Sequence, residues 1–332
     1  MVERLVANEK VEGSNPFARS IKIIVKKKNL ATNFFQKYIE EKDIRRFKNN
    51  IFYYLYYRIS RLFFNTPLKV KIYNFNLLSS NKKNNTSYSL LQKCNFFDIA
   101  EIEAIKKINK FNPIFFVDCG CNFGFYSLFT SSLSEKNEVI AIDASKKTLE
   151  EFKENLLINN FKNIKIINKA AFHINNKDIE FNISNKDWES SLMNSDFQIE
   201  EKNIIQTVTI DHLIGDVDLQ NKKLIIKIDV EGNDLNVLAG AQDTIKKFSP
   251  FIIIEFSRFI MKNKEFNYDF LYEFLKKNNY QIYDKAGNAM QVSDIIKLIE
   301  DLDKVHNTIG NYYLIRKNNP EYNNIIFYNK NE

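Results

Sequence analysis

"FFVDCGCNFGFYSL", residues 115–128, decides how the chain is read. An apolar run closes on Asp118, Gly120 and Gly124 follow, and an aromatic-rich run comes next. Ile114 to Val117 reads as a buried strand, and Tyr126 to Leu133 as the helix after it. Glycines just past a strand let backbone and ligand approach closely, because a residue without a β-carbon accepts positive φ and leaves room. The turn spells D-x-G-x-N-x-G through Asp118, Gly120, Asn122 and Gly124. It is neither the G-x-G-x-x-G of dinucleotide sites nor the G-x-x-x-x-G-K-[ST] of phosphate loops.

Downstream, strands and helices alternate. "EVIAID" (138–143) is a second strand, residues 146–160 a second helix and "IKIIN" (164–168) a third strand. Residues 173–206 read as polar and irregular, with short strands near 179–183. "LIIKID" (224–229) is a fourth strand, residues 233–248 its helix and "FIIIEF" (251–256) a fifth strand. A helix over 268–278 and two closing strands, 280–285 and 311–316, complete the pattern. Apolar strands alternating with amphipathic helices predict a mostly parallel sheet covered on both faces, with ligands beyond the carboxyl ends of its strands.

Upstream, residues 33–64 carry aromatics at helical spacing, 68–80 alternate as strands, and 96–108 form a helix with Ile99, Ile102, Ile105 and Ile108 on one face. The expected organisation is a basic helical and hairpin extension over 21–112, the main domain over 113–317 and a tail over 318–332. Residues 1–20 resemble the translation of a tRNA gene and are expected to be a start assigned too far upstream.

Over residues 20–70, twelve Lys and Arg stand against three Asp and Glu, a net of +9, which leaves −2 for the rest of the +7 total. The basic character therefore sits in the extension, where a solvated face or contact with a membrane surface explains it. No nucleic-acid partner is expected. The three cysteines, Cys94, Cys119 and Cys121, form neither a disulfide framework nor a zinc pattern and read as buried fillers in a reducing, cytoplasmic protein. No run of 18 apolar residues predicts a membrane span.

The second strand ends in Asp143, 19 residues past Gly124, where a carboxylate can accept hydrogen bonds from the ribose hydroxyls of an adenosine. "KLIIKIDVEGNDLNVLAGA" (223–241) says more. With period 2, Lys227, Asp229 and Glu231 share one side of the fourth strand. Three charges at the end of a covered strand are costly unless paired or used. Lys227 can pair Asp229, Glu231 can sit at a helix N-terminus, Gly232 can turn the chain and Asn233 can cap. Alternatively, the trio is a catalytic edge.

The turn resembles the first motif of S-adenosylmethionine-dependent methyltransferases, and the chain as a whole resembles the FkbM methyltransferase family. The matching pieces are "FVDCGCNFGFYS", "VIAIDAS", "SSL" (190–192), "VTIDHLI" (208–214), "KIDVEGNDLNVLAGA" and "PFIIIEF", in the family's order, over roughly residues 68–317. The resemblance implies an α/β, Rossmann-like class I methyltransferase fold with a seven-stranded sheet. It implies S-adenosylmethionine as cofactor and methylation of a hydroxyl on a sugar, glycoconjugate or other small molecule; no metal ligands are assigned. Asp118, Gly120, Asn122, Gly124, Asp143 and Ala171 are the expected cofactor residues. Asp229, Lys227, Glu231 and His306 are the expected catalytic ones, with Asp229 as first choice of base. The family more often has Glu-Pro where this chain has Asp143-Ala144, and small aliphatic residues where it has Cys119 and Cys121. The rival readings are a nucleotide-binding oxidoreductase, which the glycine spacing disfavours, and a membrane-surface adaptor led by residues 21–64.

Overall fold

The run that opens the sequence reading is the central strand of the fold. The computed structural model describes residues 43–47, 68–79, 87, 99–184, 199–258, 260, 266–302, 308–319 and 322. Residues 1–20, most of the helical 33–64 pattern, Cys94, "SSL" and His306 lie outside them.

A hairpin, β1 (Leu68–Ile72) and β2 (Phe75–Ser79), precedes helix α1 (Ile99–Phe111). Then follow β3 (Ile114–Cys119), α2 (Phe125–Leu133), β4 (Glu138–Asp143), α3 (Lys146–Asn159) and β5 (Ile164–Asn168). A side sheet comes next: β6 (Ala170–Ala171), β7 (Asp178–Ser184) and β8 (Ile199–Val208). The chain continues through α4 (Ile210–Ile214), β9 (Lys223–Ile228), α5 (Asp234–Ala239), α6 (Gln242–Phe248) and β10 (Phe251–Ser257). It closes with α7 (Tyr268–Asn278), β11 (Tyr280–Tyr283), β12 (Ala289–Met290), α8 (Val292–Glu300) and β13 (Thr308–Arg316).

The main sheet has the order β12-β11-β13-β10-β9-β3-β4-β5. Strands β10, β9, β3, β4 and β5 are parallel, and β13, β11 and β12 close one edge antiparallel. After β3 the chain builds outward through β4 and β5, then returns to lay β9 on the other side of β3. The switch point, where such sheets hold ligands, is therefore between β3 and β9.

Alternation along the strands fills two cores. Phe116, Ile225 and Ile253 face α1, α2, α3 and the hairpin, while Val117, Ile226 and Ile254 face the helices α4 to α8. The hairpin is held on α3 by Asn155 Oδ1, which accepts from Leu78 N at 2.7 Å, and by Asn159, whose amide bonds both Asn76 N and Asn76 O at 2.7 Å. The two asparagines stand one helical turn apart, so one face of α3 extends the hairpin's hydrogen bonding.

Four expectations change. The sheet gains an eighth strand, the two-residue β12 at its edge. The helix expected over 233–248 is broken into α5 and α6 at Gly240 and Ala241, whose backbone leaves the helical region, and only a residue without a β-carbon fits at 240, where one would lie 2.2 Å from Phe172 O. The short strand expected near 179–183 is β7, and the stretch read as irregular contributes in addition β8, paired antiparallel with it. Ile99, in the first turn of α1, is 43% exposed while Ile102, Ile105 and Ile108 are buried. Helix α8 follows no pattern that was read in the sequence.

Candidate active site

The turn between β3 and α2 is tied to the end of β4. Gly120 N and Cys121 N both donate to Ile142 O, at 2.9 and 3.1 Å, and Asn122 N donates to Asp143 Oδ2 at 2.8 Å. Asp143 Oδ1 accepts from Ser145 N at 2.8 Å and from Thr148 Oγ1 at 3.4 Å. Asp143 thus braces the glycine turn, and Oδ2, with one donor, keeps room for a second. Burial pushes its carboxyl up to about 6, against the pull of the Ser145 and Asn122 N–H groups.

Both glycines are required by the protein itself. At φ +80, a β-carbon on Gly120 would lie 1.8 Å from Asp229 O; at φ +85, one on Gly124 would lie 2.2 Å from the Phe152 ring. The sequence reading credited these glycines to the approach of a ligand; their immediate neighbours are the end of β9 and a side chain of α3. Cys119 and Cys121 are free and buried, and burial pushes both thiols up, so they fill space as expected.

Asp118 ends up buried beside the switch point. Its Oδ2 accepts from Ser127 Oγ at 2.6 Å, and its Oδ1 has no hydrogen-bond partner. Burial raises its pKa and Lys227, its register neighbour on β9, opposes the rise. Asn122 Oδ1, in the same turn, is also buried without a donor.

At the end of β9, Lys227 is 2% exposed. Its Nζ lies 2.6 Å from Asp229 Oδ2 and 4.7 Å from the Tyr126 ring centroid. Beyond Asp229 the chain turns at Glu231, φ 53, and Gly232, φ 96. Asp234 braces that turn: Oδ1 accepts from Val230 N and Oδ2 from Gly232 N, both at 3.0 Å. Burial lifts Asp234 to about 7. Asn233 occupies the cap position of α5 without capping it; its Oδ1 accepts from Asn236 Nδ2 instead.

Asp229, Glu231 and Glu255 each place a carboxylate oxygen within 4.8 Å of the others. Burial raises Glu231 and Glu255 well above the usual carboxylate range; Glu255 adds to the rise at Glu231, and Asp229 to that at Glu255. The structure therefore brings together Asp118, Gly120, Asn122, Gly124 and Asp143 around one turn, and Lys227, Asp229 and Glu231 at the next strand. Ala171 is buried in the second core, 5% exposed, so only its backbone could border a cofactor. His306 lies outside the described residues. Of the other histidines, His212 is exposed on α4 and His173 is stacked between the Phe172 and Phe266 rings. The sequence reading passed over Glu255, although it is the one charge in "FIIIEF", and over the brace Asp234.

A mostly parallel sheet, a glycine turn at its switch point and an acidic edge on the next strand define the class, the Rossmann-like S-adenosylmethionine-dependent methyltransferases. Residues 118–282, just under half of the chain, match the family model of the methyltransferase FkbM domain. Among solved structures it is similar to the methyltransferase FkbM from Methylobacillus flagellatus KT, at 20% identity and TM-score 0.38, over 61% of this chain and 43% of that one. It is also similar to precorrin-6y C5,15-methyltransferase from Geobacter metallireducens GS-15, at 10% identity and TM-score 0.34, over 66% and 86% of the two chains. An rRNA methylase from Streptococcus thermophilus aligns at 11% identity and TM-score 0.36, over 65% and 93%. No curated protein matches the chain.

Proposed function

We propose that the protein transfers a methyl group from S-adenosylmethionine to a hydroxyl oxygen, on a sugar, a glycoconjugate precursor or a related small molecule. One observation supports this above the others. Asp118 is buried at the switch point, with one carboxylate oxygen bound to Ser127 and the other without a donor. A buried acceptor of this kind is costly alone and suits a ligand that brings N–H or O–H donors and positive charge. S-adenosylmethionine has an ammonium, a sulfonium and two ribose hydroxyls, so the residues present fit it.

In this reading Asp118 and Asn122 take donors of the cofactor, and Asp143 holds the turn and offers Oδ2 to a ribose hydroxyl. Gly120 and Gly124 keep the turn in its left-handed conformations. The bound cofactor supplies an electrophilic methyl, so that the acceptor oxygen gains a C–O bond as the S–C bond breaks with its electrons onto sulfur. The acceptor must lose its proton as it attacks, and the carboxylates Asp229, Glu231 and Glu255 are at hand to take it. Lys227 is paired to Asp229 and keeps that carboxylate aimed, while burial raises Glu231 and Glu255 above the usual carboxylate range.

His306 and Ala171 remain weaker members of the proposed site. The adaptor reading rests on residues 21–64, which lie almost wholly outside the described residues; no described helix is long and apolar enough to cross a membrane. The test is incubation of the protein with methyl-labelled cofactor and a small-molecule extract, followed by identification of the labelled product. Label on oxygen supports the reading. Saturable binding of S-adenosylhomocysteine without any transfer would leave a cofactor-binding protein and sink the enzyme.

A further inference from the structure

We propose that Asp234 is a positioning residue, which holds the turn 230–232 so that the Glu231 carboxylate stands at the acceptor edge. The role rests on the methyl-transfer reading. One carboxylate binds both sides of Glu231: Asp234 Oδ1 accepts from Val230 N and Oδ2 from Gly232 N, each at 3.0 Å. Between those two bonds Glu231 stands at φ 53, and Gly232 follows at φ 96. A left-handed backbone is unfavourable for a residue with a β-carbon, so Glu231 keeps it only with support from outside. Release of either N–H would let Glu231 return to an ordinary conformation and swing its carboxylate away from Asp229 and Glu255.

Asp234 is itself well anchored. It is fully buried and opens α5, whose Leu235, Val237 and Leu238 are packed in the second core. Both of its oxygens hold a turn N–H, so it acts on the acceptor through Glu231 and not by contact. Asparagine could not replace it. The amide oxygen would accept one of the two N–H groups, and the NH₂ would face the other donor to donor.

The charge of Asp234 acts in the same direction as its geometry. Burial raises Glu231 and Glu255 above the usual carboxylate range, and Asp234 adds to the rise at both. The titratable groups around Asp234 are Asp229 on β9, Glu231 in the turn, Glu255 on β10, Cys119 on β3 and Tyr268 on α7. Burial lifts Asp234 itself to about 7. A brace that served the fold alone would link loss of turnover to loss of stability and leave Glu231 where it is.

The experiment compares the full chain with Asp234→Asn and with Val237→Ala, which removes packing from the same helix and leaves the carboxylate in place. Protein carrying ¹³C at its glutamate carboxyls reads Glu231 directly, the signal being assigned by its absence in Glu231→Gln. The Glu231 midpoint should fall by about one pH unit or more in Asp234→Asn, since a negative neighbour is lost, and stay unchanged in Val237→Ala. The Val230 and Gly232 amide protons should titrate together near pH 7 in the native protein and not in Asp234→Asn. With methyl-labelled cofactor and the small-molecule extract, Asp234→Asn should keep its KM for S-adenosylmethionine and lose about 10²-fold in kcat, the usual effect of a misplaced group. Val237→Ala should keep both below its melting temperature. Should Asp234→Asn fail to fold, as judged by circular dichroism, the native protein still decides, because its Glu231 signal must shift in step with the two amides. A Glu231 signal that ignores Asp234, or an equal loss of turnover in both variants, overturns the proposal. A native protein that fails to bind S-adenosylhomocysteine sinks the methyltransferase reading instead, and the carboxyl and amide titrations still decide whether Asp234 sets Glu231.

Discussion

The β-carbon that Gly120 lacks would lie 1.8 Å from the carbonyl oxygen of Asp229. The glycine turn and the end of β9 are therefore fitted to each other through backbone. Asp229 N also donates to Cys119 O at 3.0 Å, which ties the two strand ends together. A change on the cofactor side of the site should be felt on the acceptor side.

Gly120→Ala should disturb both. It adds a left-handed strain of about 1–2 kcal/mol to a clash with backbone that has no side chain to yield. Gly124→Ala meets the Phe152 ring at 2.2 Å, and a ring can be replaced. In thermal melts, Phe152→Leu should therefore recover part of the Gly124→Ala loss and none of the Gly120→Ala loss. Equal rescue of both would contradict the assigned contacts.

Asp143→Asn should weaken S-adenosylhomocysteine binding about tenfold, since a hydrogen bond to a charged group is worth roughly 1.5–3 kcal/mol. Its effect on stability should depend on pH. Asp143 is raised in the fold to about 6, above its unfolded range. Its contribution is thus fully present below the unfolded value of about 3.9 and is lost as pH rises through about 6. The melting advantage of the native protein over Asp143→Asn should be larger at pH 4 than at pH 7.

Lys227→Met should destabilise more than Asp229→Asn. The lysine is 2% exposed, bonds Asp229 at 2.6 Å and offsets the charge of Asp118. Its loss leaves two carboxylates without their cation, for which roughly 3–5 kcal/mol is the usual cost of breaking a buried pair. Asp229→Asn leaves Lys227 beside Asp118 and should cost less, keep cofactor affinity within about threefold and lower turnover by roughly 10²–10⁴. An Asp229→Asn protein that melts far earlier yet turns over normally would mean that the charges serve the fold alone.

Asn155→Ala should loosen the hairpin, and it also removes a donor to Phe123 O in the glycine turn, at 3.5 Å. Asn155 is buried and accepts Leu78 N, so truncation leaves that N–H without its partner, at about 1–3 kcal/mol. Hydrogen exchange at β2 should quicken. Unchanged exchange would show that Asn159 alone secures the hairpin.

The sequence alone determined the α/β alternation, the strands at 114–117, 138–143, 164–168 and 251–256, and the helix at 268–278. These elements carry their signal locally, as apolar runs with period 2, helical stripes and polar punctuation. It also marked the turn from Asp118 to Gly124 and the charges Lys227, Asp229 and Glu231, since charge inside an apolar strand and glycines after one stand out from their neighbours. The tertiary structure alone decided what those residues touch. Gly120 answers to Asp229, 109 residues later, and Gly124 to Phe152. Glu255 joins Asp229 and Glu231 only because β10 lies beside β9, and Asn311 stands opposite Glu255 only because β13 returns antiparallel against β10. Strand β8 lacks a strong periodic signal and is held by its pairing with β7, whereas α8 carries a clear helical stripe of Val292, Ile295 and Ile299 that the sequence reading passed over. Periodicity is a property of near neighbours along the chain, whereas a site at a switch point is assembled from strands that only the order of the sheet makes adjacent.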